Sequence, residues 1–193
     1  RGDPESPRPP AGKRALDVGC GAGLLCEPLA RLGAEVTGVD AAGDNIAAAR
    51  AHAEGSRWAI DYRAGELAAL DLGRLVLVTC MEVLEHVADK PAFVAALAAS
   101  LAPGGLLILS TPNRTPASRL LIVGAAQLVG AIPKGTHHWD DFVTPEELRQ
   151  LLTGAGLTMA GPRGVAWSPG KGLHLSSDVS LNYIVTASAA PPA

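Results

Sequence analysis

From residue 14 the chain alternates short apolar runs of β character with longer Ala/Leu-rich stretches of helical period. That alternation predicts a mostly parallel sheet covered by helices. Strands are expected at 14–19 (RALDVG), 35–40 (EVTGVD), 58–63 (WAIDYR), 75–80 (LVLVTC) and 105–111 (GLLILST). Helices are expected over Gly23 to Leu32, Asp44 to Ala53, Lys90 to Leu101 and Pro145 to Ala155. Thr144 is placed to cap the last of these, with Pro145, Glu146 and Glu147 as a favourable first turn. Gly33 and the pair Gly104, Gly105 stand where helices should stop. Two stretches of the last third, GLTMAGPRGVAWS and VSLNYIVTAS, are further strand candidates.

The pattern breaks between Pro112 and Val143, a long insertion. Inside it, residues 120–132 (LLIVGAAQLVGAI) are apolar apart from Gln127, and the run is too short to span a bilayer. It reads equally well as a core helix or partner interface and as a docking segment on a membrane surface, where Arg114, Arg119 and Lys134 would meet anionic lipid. No internal repeat is visible. Residues 1–12 are expected to be the Pro-rich linker of a fragment or processed chain, 13–187 one domain, and 188–193 a disordered tail.

Composition narrows the function. A length of 193 residues, 48% of them hydrophobic and 18% charged, suits one domain with a full core. The net charge of −3 supplies no basic excess for a phosphate backbone, so nucleic acid is not an expected partner. Three cysteines, Cys20, Cys26 and Cys80, form no C-x-x-C pair, which argues for a reducing compartment and against a disulfide framework or a zinc knuckle.

Two clusters carry candidate chemistry. LDVGCGAGLL ends a strand and opens a helix, and Gly19, Gly21 and Gly23 let backbone approach a ligand where a Cβ would collide. Asp40 closes the second strand, where a carboxylate can accept ribose hydroxyls. Asp17 is a further candidate, unusual for a buried strand position. The bland alternative is a tight turn followed by a helix cap at Asp40. The spacing G-x-G-x-G, with Leu24 in the place of a third dinucleotide glycine, and the lack of a Tyr-x-x-x-Lys pair count against a nicotinamide reductase. The second cluster is TCMEVLEH. If a helical turn starts after Cys80, then Glu82, Glu85 and His86 share one face and can converge on Mg²⁺, Mn²⁺, Co²⁺ or Zn²⁺. Alternatively His86 acts as a general base without a metal, or all three merely begin a solvated helix. His137 and His138 are expected near a substrate entrance rather than on a shared ion. Trp58, Trp139 and Trp167 are expected to pack or to line a rim.

DVGCGAG followed by VTGVD resembles motifs I and II of the S-adenosylmethionine-dependent methyltransferases of the Rossmann-like class. TCMEVLEHV, LAPGG, STPNR, PKGTHHWDDFVTPEEL and a terminal LNY resemble one family, the ubiquinone-biosynthesis O-methyltransferases, from about Lys13 to Thr186. Ala22 replaces a glycine usual in that family's loop. The resemblance implies a seven-stranded, mostly parallel α/β sheet with helices on both faces and its last strand antiparallel. It implies S-adenosyl-L-methionine or S-adenosyl-L-homocysteine held by Asp17, Gly19, Gly21, Gly23, Asp40 and Met81, with Gly19 at the methionine part, Asp40 at the ribose and Met81 at the adenosine. It implies a divalent cation, Mg²⁺ first, on Glu82, Glu85 and His86, the same three being the catalytic residues. The expected substrate is a polyprenylated catechol or demethylated ubiquinone precursor. Residues 118–134 are expected to touch a membrane peripherally, with other ubiquinone-biosynthesis proteins as partners. The expected location is the cytoplasmic face of a bacterial membrane, or the mitochondrial inner membrane in a eukaryote. Another small-molecule methyltransferase of the same fold, or a non-catalytic lipid- or cofactor-binding module, is the alternative.

Overall fold

The computed structural model describes residues 10–125 and 138–189. The alternating pattern resolves into β1 (Arg14–Val18), α1 (Cys26–Arg31), β2 (Glu35–Asp40), α2 (Gly43–Ala53), β3 (Ile60–Ala64), β4 (Leu75–Met81), α3 (Lys90–Ala99) and β5 (Leu101–Pro112). After the insertion come α4 (Pro145–Gly154), β6 (Leu157–Met159), β7 (Gly164–Ser168), β8 (Gly172–Ser176) and β9 (Asn182–Ala189). Seven strands form one sheet in the order β3-β2-β1-β4-β5-β9-β6. Strands β1 to β5 pair in parallel, and β9 runs antiparallel to both β5 and β6. The expected α/β architecture is therefore present, and β7 with β8 adds a separate two-stranded ribbon that the sequence did not announce.

Central strands β1 and β4 are apolar on both faces because helices cover both sides of the sheet. On one side Leu16, Val78, Leu107 and Leu109 pack with Val94 and Leu97 of α3 and Leu148 and Leu152 of α4. On the other, Ala15 and Val36 pack with Leu29 of α1, Ile46 of α2 and Tyr62 of β3. Tyr183 is buried and donates its hydroxyl to the Val143 carbonyl at 2.9 Å, which fastens β9 to the segment entering α4. That helix begins with a capping box in which Thr144 accepts from the Glu147 amide and the Glu147 carboxylate accepts from the Thr144 amide.

Several boundaries differ from expectation for local reasons. Helix α1 starts at Cys26 rather than Gly23, because Gly21 and Gly23 have φ of +53° and +81°, outside helical space. Helix α3 ends at Ala99 and β5 already begins at Leu101, so Gly104 (φ +69°) and Gly105 lie inside an extended segment whose register with β4 shifts between Leu75 and Leu77. Strand β3 starts at Ile60, two residues late, and β9 runs on to Ala189, into the expected tail. The linker residues 1–9 and the tail residues 190–193 lie outside the described residues.

The insertion leaves β5 through Asn113, whose amide Nδ2 donates to the Val179 carbonyl, and one helical turn at Pro116–Ser118 capped by Thr115. A π-helical segment follows over Arg119–Ala125. The rest of the apolar run, with Gln127, Lys134 and His137, lies outside the described residues. On the return side Trp139 donates Nε1–H to the Thr115 carbonyl at 2.9 Å and stacks beneath the Arg119 guanidinium, 5.3 Å from its ring centre. The two flanks of the insertion are thereby tied together at the carboxyl edge of the sheet. Among the described residues no helix is long and apolar enough to cross a membrane.

Candidate active site

Parallel strands leave their carboxyl ends on one edge, where loops and helix starts surround open space. Here that edge holds a cleft of about 660 Å³, lined by Gly19 and Gly21 after β1, Asp40 after β2, Gly65 and Glu66 after β3, and Glu82, Val83 and His86 after β4. The glycine loop is bonded to its surroundings rather than loose. Gly19 and Cys20 donate their amides to the Val39 carbonyl at 2.8 and 3.0 Å, and Gly21 donates to Asp40 Oδ2 at 2.9 Å. Asp40 Oδ1 accepts from the Ala42 amide and from Asn45 Nδ2 at 2.9 and 3.0 Å. One carboxylate thus fixes the loop, the start of α2 and the cleft floor together. Oδ2, which accepts only from Gly21, keeps a lone pair for a ligand hydroxyl.

Two of these glycines are required by space. A Cβ on Gly19, at φ +70°, would stand 2.3 Å from Val83 Cγ2, a side chain that lines the same cleft. At Gly23 it would stand 2.2 Å from the buried Tyr62 hydroxyl. Gly23 therefore acts from beneath the loop and is absent from the cleft wall.

Two other expected cofactor contacts, Asp17 and Met81, are not among the residues that line this cleft. Asp17 is buried under the loop, where Oδ1 accepts from Thr79 Oγ1 at 2.6 Å and Oδ2 from the Cys26 thiol at 3.4 Å. Burial raises its pKa above the usual carboxylate range, against those hydrogen bonds. Its place is to join β1, β4 and α1 rather than to line the cleft. Met81, the last residue of β4, pairs with Ser110 and is likewise not among the lining residues. Leu67 and Phe93 supply the apolar wall instead. Glu66 and Asn45 are polar lining residues that sequence reasoning passed over; an acid directly following β3 at the carboxyl edge was the available signal.

The β4 exit also differs from the expected helical turn. The strand runs one residue further, Glu82 takes φ +55°, and a 3-10 turn covers Leu84–His86. Glu82 is anchored to β5 twice, its amide donating to the Ser110 carbonyl at 3.1 Å and its Oε1 accepting from Ser110 Oγ at 2.6 Å. Burial raises its pKa. Glu85 instead turns inward: Oε2 accepts from Thr111 Oγ1 at 3.1 Å, while Oε1 is buried with no hydrogen-bond partner. Burial, helped by the Glu82 charge, pushes Glu85 up to about 7. His86 is half exposed, with Nε2 3.9 Å from Glu85 Oε1.

A second cleft of about 350 Å³ adjoins the first, lined by Glu85, His86, Val87, Ala88, His138, Asp141 and Phe142. His86, Val87 and Ala88 belong to both walls. His138 lines this second cleft together with His86. The fit to a divalent cation is partial. Glu85 Oε1 and His86 Nε2 are close enough to share an ion, and the orphaned buried oxygen is the kind a cation would satisfy. Glu82 is held on Ser110, and among the described residues no group of three His, Cys, Asp or Glu is gathered to hold one.

The sheet order, glycine loop and Asp40 bracket define a class that comparison with known proteins identifies as S-adenosylmethionine-dependent methyltransferases. A methyltransferase-domain family model matches residues 3–160. The fold is shared with a magnesium protoporphyrin IX methyltransferase from Synechocystis solved with S-adenosylhomocysteine (TM-score 0.70, 24% identity, 93% of this chain and 75% of that one). It is shared also with an S-adenosylmethionine-dependent methyltransferase from Mesorhizobium loti (TM-score 0.68, 22% identity, covering 94% and 93%). Much nearer in sequence are the ubiquinone biosynthesis O-methyltransferases of Rhodopseudomonas palustris BisB5, 48% identical over 94% of this chain and 73% of its own length, and of Methylobacterium sp. 4-46, 47% identical over 96% and 76%. The chain belongs to that O-methyltransferase family.

Proposed function

We propose that the protein methylates a phenolic hydroxyl of a polyprenylated catechol or demethylated ubiquinone intermediate, with S-adenosyl-L-methionine as donor. The observation that carries this is the wall shared by the two clefts. The two clefts adjoin through His86, Val87 and Ala88, which supports a donor in the larger one beside an acceptor in the smaller one. Gly19, Gly21, Asp40, Asn45 and Glu66 hold the donor. The acceptor oxygen attacks the sulfonium methyl in line, the C–S bond breaks, and sulfur leaves as the neutral thioether.

The phenolic proton goes to His86 Nε2, since an imidazole is a competent base near neutral pH. Glu85, 3.9 Å away, stabilises the resulting imidazolium. In the alternative, metal-assisted form, Glu85 Oε1 and His86 Nε2 would instead hold a divalent cation, which would lower the pKa of the acceptor hydroxyl and fix its oxygen, the phenolic proton then passing to solvent. Peripheral attachment through residues 118–134 and contact with other enzymes acting on the same tailed intermediates belong to this reading.

The test is turnover of a short-tailed catechol with and without chelator, followed by add-back of Mg²⁺, Mn²⁺, Co²⁺ or Zn²⁺. Methyl transfer lost in His86→Ala supports the assignment. Full activity in that variant would remove His86 from the reaction, and no methylated catechol under any condition would overturn the substrate class.

A further inference from the structure

We propose that the β7–β8 ribbon is a bilayer-contact surface that seats its apolar face in the interface of a membrane carrying anionic lipid. The cross-strand pairs Val165↔Leu175 and Trp167↔Leu173 put four apolar side chains on one face of a twisted ribbon. Trp167, Leu173 and Leu175 are 68%, 75% and 56% exposed, a contiguous patch of the kind soluble surfaces avoid unless it has an occupant.

The ribbon is firmly held. Arg163 bridges to Ile184, Val165 donates its amide to Asn182 Oδ1, and at Gly164 a Cβ would stand 1.7 Å from the Asp178 carbonyl oxygen, so only glycine passes there.

Charge and size select the occupant. From Ala160 to Ser177 the chain carries Arg163, Lys171 and His174 and no acid, although the whole chain has a net charge of −3. Lys171 is exposed in the tight turn joining the strands, where its amide donates to the Ser168 carbonyl next to the Trp167↔Leu173 pair. An aromatic belt residue, leucines and flanking cations match a lipid interface under a negative surface potential. Three exposed side chains fall short of the roughly 800 Å² per partner that a stable protein interface buries.

Position agrees. The ribbon returns to the sheet through Val179, Ser180 and Leu181, whose carbonyls accept from Asn113 Nδ2, Thr115 Oγ1 and the Asn113 amide. Those residues open the insertion, where Leu120 and Leu121 are exposed as well. Five of the six exposed large apolar side chains among the described residues therefore stand on two stitched segments at the same sheet edge as the clefts. This deepens the proposed reading, because a polyprenyl tail keeps the acceptor in the bilayer.

The test is co-sedimentation of the full chain with vesicles of phosphatidylcholine alone or mixed with phosphatidylglycerol. It is combined with quenching of tryptophan emission by brominated lipid. The combined variant Trp167→Ser, Leu173→Ser, Leu175→Ser is expected to lower partition onto anionic vesicles by about tenfold or more. Lys171→Glu, with the apolar face intact, is expected to lower it by roughly tenfold on anionic vesicles and to leave neutral ones unaffected. Both should methylate a short-tailed soluble catechol at the wild-type rate, so a failure of the membrane inference is separable from a failure of the methyl-transfer reading. Wild-type binding retained by both variants would overturn the proposal. So would a dimer abolished by the serine substitutions in a chain that binds no vesicles. Should the serine variant not fold, Lys171→Glu decides together with the loss of lipid quenching in Trp167→Phe.

Discussion

Glu85 should impose a pH-dependent penalty on the fold that Glu85→Gln removes. Its carboxyl is buried, with one oxygen accepting from Thr111 and the other accepting from nothing, and its pKa rises from 4.5 to about 7. Burial is the main cause and the Glu82 charge adds to it, while its own backbone amide, Thr111 and Lys90 pull the other way. Between about pH 4.5 and 7 the folded state keeps a proton that the unfolded chain has released. The unfolded state then binds fewer protons, so stability falls as pH rises through that window. Below it both states are protonated and the residue contributes nothing. Above it the full penalty stands, about 3 kcal/mol for a rise of that size. Gln keeps the shape and an acceptor for Thr111 without the charge. In a chain of this length the variant should melt roughly 6–12 °C above wild type at pH 8 and close to it at pH 4.5. Calorimetry in chelating buffer measures this, and the difference between variant and wild type isolates Glu85 from Glu82, which is shifted in the same direction. A difference that does not change with pH would refute the buried, uncompensated carboxylate. The same variant should lose methyl transfer, since the imidazolium at His86 would stand without its counter-charge.

The glycine loop offers a paired test: Gly19→Ala adds a Cβ 2.3 Å from Val83 Cγ2 at a left-handed φ, whereas Gly43→Ala adds one that meets nothing. The first should cost about 2–4 kcal/mol and weaken S-adenosylmethionine binding in titration calorimetry, the second should be neutral or slightly stabilising, and equal melting points would show the loop to be adaptable. Asp40→Asn leaves one acceptor oxygen for three donors, Gly21, Ala42 and Asn45; cofactor affinity should fall about tenfold or more, as the same titration would report. Tyr183→Phe strands the buried Val143 carbonyl and should lower stability by about 1–2 kcal/mol in denaturant melts, with catechol turnover unaffected.

The middle of the sheet was legible in the sequence because strands such as β1 and β4 are covered on both faces by helices, and such strands read as short apolar runs. The cofactor edge was legible for a related reason: Gly19 and Gly21 need positive φ, and Asp40 must end β2 for its carboxylate to reach the Gly21 amide. The β4 exit was not, because grouping Glu82, Glu85 and His86 on one face assumes that Glu82 is helical. In the fold the Glu82 amide and carboxylate are both spent on Ser110, and that pair of bonds, 28 positions away in sequence, holds a non-glycine residue at φ +55°. No local propensity encodes such a bond. The surroundings of Asp17 and Met81 were no more legible: strand pairing sets which side chains meet, and it bonds the first to Thr79 and pairs the second with Ser110. The same strain explains the division of labour at the site. With Glu82 pinned against β5, Glu85 lies buried beside the smaller cleft and His86 lines both, so the residue whose conformation was least readable is the one on which the placement of the proposed proton acceptor depends.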